Sequence, residues 1–181
     1  MSVDIPLFAV LEASISMILG NPFEAVHFDT GNYLSEEEMS FARSFAKPFA
    51  LAMLFNELLK RLKQIQPEMT AERLKTYFTE STRDVCGMLA RPDPNEEADQ
   101  LMSLALGFLD FDVVFDIEDG ELEGDDDPPL TKFAKSIFPD YLLNDPIQQK
   151  KIFTVVLFGG MIEDGMKERA DYIFSNANLT L

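Results

Sequence analysis

The sequence predicts a mostly helical, all-α fold: one domain of about seven helices. Three observations carry that expectation. Ser35, Thr70, Asp93 and Asp145 each stand just before an apolar pattern, where a helix N-cap belongs. Apolar residues after each cap recur at three- and four-residue spacing, as a buried helical face requires. Breakers close the patterns at Gly20-Asn21-Pro22, Pro67 and Pro139.

The first helix is expected over about 6–19, where Leu7, Phe8, Val10, Leu11, Ile15, Ile18 and Leu19 form one broad apolar face. Residues 21–34 have loop character, with Thr30-Gly31-Asn32 as turn chemistry. Ser35 and Glu38 make a capping box, and Glu36 and Glu37 suit the positive end of the helix dipole. Phe41 and Phe45 share a face of this helix, followed by the stripe Leu51, Phe55, Leu58, Leu62 and Ile65. Pro48 lacks an N–H and crowds the preceding turn, so a kink or restart is expected there. Phe49–Phe55 is apolar nearly all round, which fits either a central helix or a partner face.

Thr70 caps a helix with Leu74, Tyr77, Phe78 and Val85 on one side, ending near Gly87. Asp93-Pro94, with Glu96 three residues after the cap, opens another that carries Leu101, Leu104, Ala105 and Phe108. Residues 111–118 alternate between apolar and acidic residues, a strand signature, although Phe108, Phe111 and Phe115 also suit a helix. Ile152–Phe158 has β propensity in a helical context. Together 111–118 and 152–158 offer a small two-stranded antiparallel element. An exposed loop is expected at 119–129, then a short helix over Thr131–Phe138. Asp145-Pro146 opens the last long pattern, which Gly159-Gly160 is expected to break or bend. Met161–Phe174 closes the fold with Ile162, Met166 and Ile173 inward.

At 181 residues with 46% hydrophobic residues the chain can bury a real core, and sixteen Phe with no Trp make that core Phe-rich. Its nine Met fall mostly on helical core positions. A lone Cys86 excludes an internal disulfide framework and a Cys-based zinc site, and fits a reducing compartment. The first basic residue is Arg43, so the positive n-region of a secretory signal is missing. The run Ile5–Leu19 is broken by Pro6 and Glu12 and is too short to span a bilayer. A soluble, cytoplasmic protein with no membrane partner is expected.

The charge is the sharpest signal. The formal net charge is −17, from 32 acidic and 15 basic residues. Residues 92–127 contain fourteen acids and no base. Such a segment makes a local field that attracts cations and basic surfaces, and it argues against direct contact with nucleic acid or anionic lipid. Residues 43–91 run the other way, with nine bases and five acids, which helix solvation accounts for more simply than a basic face.

Motifs for catalysis are weak. The acidic run does not fit a calcium loop: counted from Asp110, positions five and six are Val114 and Phe115. Counted from Asp116, Gly120 falls at five and position twelve is Asp127. Glu37-Glu38 meets Phe41 where a metal-binding Glu-Glu-x-x-Glu helix needs its third carboxylate. His27, the one histidine, has Asp29 nearby, but no elbow motif supplies a serine. Arg83 precedes Cys86 and can depress its pKa, yet a small buried core residue accounts for Cys86 better. No enzyme activity, metal or cofactor is expected.

The expectation is instead an acidic interaction protein that binds a cationic protein, neutralising or chaperoning it as immunity proteins and nucleic-acid mimics do. The partner would be a basic toxin, a nuclease or another nucleic-acid-binding protein. Specificity needs an apolar anchor within the acidic field. The contact is therefore placed at Asp110, Phe111, Asp112, Phe115, Asp116, Ile117, Glu118, Asp119, Glu121 and Glu123. Two alternatives belong to other classes. One is a divalent-metal enzyme that brings Glu36, Glu37, Asp84, Glu163 or Asp164 to the acidic cluster. The other is an assembly subunit with Phe49–Phe55 or Ile152–Ile162 as its contact.

Overall fold

The computed structural model describes residues 3–20, 33–109, 127–138 and 145–180. Strand β1 (Val3–Pro6) leads into α1 (Leu7–Gly20), then α2 (Glu36–Ile65), α3 (Ala71–Met88) and α4 (Pro94–Gly107) follow. Helices α5 (Pro129–Ile137) and α6 (Pro146–Asn176) lead to β2 (Ala177–Thr180). The fold is thus all-α in class, with six helices among the described residues rather than seven.

Helix starts follow their local chemistry. The Ser35 N–H donates to Glu38 Oε2 at 2.8 Å, and the Glu38 N–H donates to Ser35 Oγ at 3.2 Å, which completes the capping box. Thr70 accepts from the Arg73 N–H, Asp93 from Glu96 and Asp145 from Ile147, at 3.2, 3.1 and 2.9 Å.

Two breakers do not break. Helix α2 runs through Pro48, which is buried between Ala46 and Phe49. Pro48 removes one backbone bond, a cost of about 3 kcal/mol in a helix interior. Near-complete burial of the Phe49–Phe55 turn outweighs it, so this stretch is a central helix and not a partner face. Likewise α6 continues through Gly159-Gly160.

The two-stranded element also differs from expectation. Residues 152–158 are helical, so no strand forms there to pair with 111–118, which lie outside the described residues. Ile152, Val155, Phe158 and Ile162 are buried on one side of α6, and that helical periodicity overrides β propensity. The sheet instead joins the two ends of the chain. Strands β1 and β2 pair in parallel, with Val3 opposite Ala177 and Ile5 opposite Leu179. Asn178 Nδ2 donates to Asp4 Oδ1 at 3.2 Å across it, and Gln66 Nε2 at the end of α2 donates to Leu179 O.

The core is one connected cluster centred on α2. Two ion pairs set its longest contact: Lys151 to Glu38 at 2.6 Å and Arg61 to Asp171 at 2.5 Å. Both pairings advance in the same direction along the two helices, so α2 and α6 pack parallel. Phe49 meets Phe133 of α5 at 4.5 Å and Phe108 at the end of α4 at 5.4 Å. Phe55 meets Phe78 of α3 at 5.2 Å. Phe41, Ile65 and Leu104 face outward, although each was expected on an apolar face.

Gly159 is a packing device. A methyl there would lie 2.8 Å from Leu130 Cδ2 and 3.0 Å from Phe133 Cδ1, whereas one at Gly160 meets nothing. Gly160→Ala should therefore gain helix propensity, about 0.8–1 kcal/mol. Gly159→Ala should lose stability relative to it by about 1–3 kcal/mol, because the Leu130 and Phe133 side chains must give way in a packed core. Parallel urea titrations of the two variants test this; equal midpoints would contradict it.

Burial pushes the Glu38 carboxyl up, but Lys151 and the Ser35 N–H outweigh it and hold it below its ordinary value. Glu57 behaves alike, with Arg61 and Lys60 overcoming burial. A depressed folded-state pKa gives stability above the unfolded value, lost as pH falls through the folded one. Unfolding free energy should thus decline as pH drops below 4.5, the ordinary value for both groups. Glu38→Gln should cost about 1 kcal/mol at pH 7 and flatten that decline. Denaturant titrations between about pH 6 and 3 read both effects.

Candidate functional site

The acidic segment begins on α4, and the helix gives it a rigid base. Ala98, Met102, Ala105 and Leu106 are buried on the core side of α4. That leaves Asp93, Asn95, Glu96, Asp99, Gln100 and Ser103 on an open, exposed face that ends at Leu104. Asp93 and Glu96 stand one helical turn apart, and Gln100 Nε2 donates to Glu96 Oε1 at 3.1 Å. Bases on and after α3 approach two of its acids: Arg83 lies 3.6 Å from Asp99 on that face and Arg91 lies 3.5 Å from Glu97 beside it. Among the described residues, no base is within ion-pair distance of Asp93 or Glu96.

Both flanks of residues 110–126 are fastened to α5. On one side Phe108 and Leu109 are buried, and Lys132 Nζ donates to the Leu109 carbonyl at 3.2 Å. On the other side Asp127 pairs with Lys135. Lys132 and Lys135 are three residues apart on a nine-residue helix, so neighbouring positions on one face hold both ends.

All ten residues expected to contact a partner, Asp110 to Glu123, lie outside the described residues, as does His27. What the structure places is the α4 approach and the two anchors. Cys86 is fully buried; burial pushes its thiol up, with Glu97 adding to the rise and Arg91 opposing it. That is the environment of a packing residue rather than a nucleophile. Five of the nine bases in the positive stretch 43–91 are engaged as follows: Arg83 and Arg91 with α4 acids, Lys60 and Arg61 with Glu57, Arg61 also with Asp171, and Arg73 over the Tyr77 ring. Among the described residues no three His, Cys, Asp or Glu side chains converge as a metal site would need. No helix among them is long and apolar enough to cross a membrane.

Two further features are present. Phe153, Leu157 and Met161 form an exposed apolar stripe at four-residue spacing on α6, at 62%, 51% and 62% exposure. A recess of about 420 Å³ lies between α1 and the C-terminal half of α6, and Arg169 lines it. The stripe has a sequence signal, since α6 is apolar on two sides over 152–162. The recess has almost none, because its walls come from opposite ends of the chain.

No protein-family model, curated protein or solved structure matches this chain. The functional reading therefore rests on the site alone.

Proposed function

We propose that the protein is a non-enzymatic acidic binder of a cationic protein, which it neutralises or chaperones. One observation carries this reading: the exposed acidic face of α4 runs into a base-free segment whose two flanks are held on a single helix. Asp93 and Glu96 are spaced by three residues, about 4.5 Å apart along the helix axis, and Asp99 continues the row with Arg83 beside it. Rows of fixed negative charge resemble a phosphate backbone, and clefts that hold phosphates are lined with Lys and Arg. The cytoplasm, where a nuclease or other nucleic-acid-binding protein would be met, is the proposed location.

The mode of binding follows from the electrostatics. Exposed charges steer encounter and raise the association rate, and salt screens them. Apolar side chains inside the field then supply the anchor. Leu104 is one at the edge of α4, and Phe111, Phe115 and Ile117 are proposed as the others.

Affinity capture from native lysate across a salt series should retain a basic protein that elutes as salt rises. Asp112→Lys with Asp116→Lys should abolish that capture while the circular dichroism melt stays unchanged. Undiminished capture by this double variant would refute the reading.

A second reading is favoured by the α6 stripe: a subunit of a larger assembly, joined through Phe153, Leu157 and Met161. Exposed clusters of large apolar side chains mark interaction surfaces. If so, the protein should scatter light as an oligomer, and Leu157→Glu with Met161→Glu should convert it to a monomer. A monodisperse monomer from the unmodified chain would remove this reading.

A further inference from the structure

The outer face of α6 is charged at both ends of its apolar stripe. Lys150, Leu157 and Asp164 follow at seven-residue intervals, so they share one side of the helix. Phe153 and Met161 stand four residues to either side of Leu157 on that same side. All five residues are exposed. The face is therefore apolar in the middle, basic towards its N-terminal end and acidic towards its C-terminal end.

The two charged ends find no opposite charge within the chain. Among the described residues neither Lys150 nor Asp164 forms an ion pair. Lys150 stands over the Tyr33 ring, 5.3 Å from its centre, a contact that supplies no carboxylate. Lys151, the next residue, is by contrast held by Glu38.

Such a face complements itself. A second α6 laid antiparallel and centred on Leu157 sets Leu157 against Leu157, Phe153 against Met161 and Lys150 against Asp164. The last two pairs each occur twice, because the two-fold axis passes through Leu157. A parallel arrangement would instead set Lys150 against Lys150 and Asp164 against Asp164, and facing like charges oppose association. From Lys150 to Asp164 the helix extends about 21 Å, close to four turns.

We propose that α6 pairs with α6 of a second copy of this chain in an antiparallel two-fold dimer, with Lys150 on Asp164 at both ends. This rests on the reading of the stripe as an assembly contact, and it names the partner, its direction and its register. A contact one helix wide lies at the small end of interface sizes, so the dimer is a reversible one.

Sedimentation of the full chain between about 1 and 300 µM, in about 0.15 M salt, should show monomer giving way to dimer and no larger species. Lys150→Glu and Asp164→Lys should each weaken the dimer at least about fivefold, and the two together should restore it to within about twofold. Asp164→Lys is the sharper of the two. It makes the chain less negative, so general repulsion alone would strengthen association rather than weaken it. A chain that stays monomeric throughout would end both the assembly reading and this one. Dimers that ignore the two reversals, or that the double variant fails to restore, would overturn the antiparallel register and leave the assembly reading standing. So would a trimer or larger species.

Discussion

Phe133 is the residue on which the arrangement turns. It is fully buried in α5, with the Phe49 ring of α2 at 4.5 Å, Phe108 at the end of α4 at 6.0 Å and Phe158 of α6 at 6.1 Å. Ring pairs of this kind add roughly 0.5–1.5 kcal/mol each beyond the area they bury. Their larger consequence is positional. Helix α5 has nine residues, too few to be stable alone, so its helicity depends on this seat. Gly159 provides that seat by leaving room on α6 for Leu130 and Phe133. Lys132 and Lys135 are placed by the same helix, and they hold the flanks of the acidic segment. Aromatic packing in the core thus sets where Leu109 and Asp127, the two flanks of the acidic segment, are held.

The charge distribution follows the same division. A net charge of −17 repels itself, which favours solubility and works against compactness. Near the core the chain answers with pairs. Arg61 meets two carboxylates, and Lys151 meets Glu38 where α2 and α6 run side by side. At α4, Arg83 and Arg91 approach Asp99 and Glu97, while Asp93 and Glu96 have no base within ion-pair distance among the described residues. Glu36, Glu37, Glu72 and Glu163 on other helices are likewise without an ion pair among those residues, so the imbalance at 92–127 lies in its lack of bases rather than in exposure alone.

How much was legible in the sequence depended on the range of the interaction. Caps act over two or three residues, and Ser35, Thr70, Asp93 and Asp145 all do as their spacing implies. The four apolar helix faces were readable for the same reason. Pro48 and Gly159-Gly160 do not end their helices, because their local cost is met by burial that only the folded chain supplies. The β1–β2 pairing was invisible, since four-residue strands carry little pattern and the partners stand 174 positions apart. The acidic segment was legible as composition, but its fastening to α5 was not. Lys132 and Lys135 look like ordinary solvated lysines until the fold brings them to Leu109 and Asp127.

Helix α6 shows how one element can serve several boundaries. Its buried side, Ile152, Val155, Phe158 and Ile162, joins α2 and α5. Its outer side presents Phe153, Leu157 and Met161 to solvent, so the helix is apolar on two sides for three turns. Beyond Asp164 the character changes. Arg169 lines the recess, Asp171 pairs with Arg61, and the chain passes into β2. A helix of 31 residues matches the 30-residue α2 it lies beside, from Lys151 against Glu38 to Asp171 against Arg61. Along that length it also spans from the aromatic seat of α5 to the sheet that pairs β1 with β2. The apolar stripe lies near the first of these and the recess near the second, so the two surface features are separated along one helix.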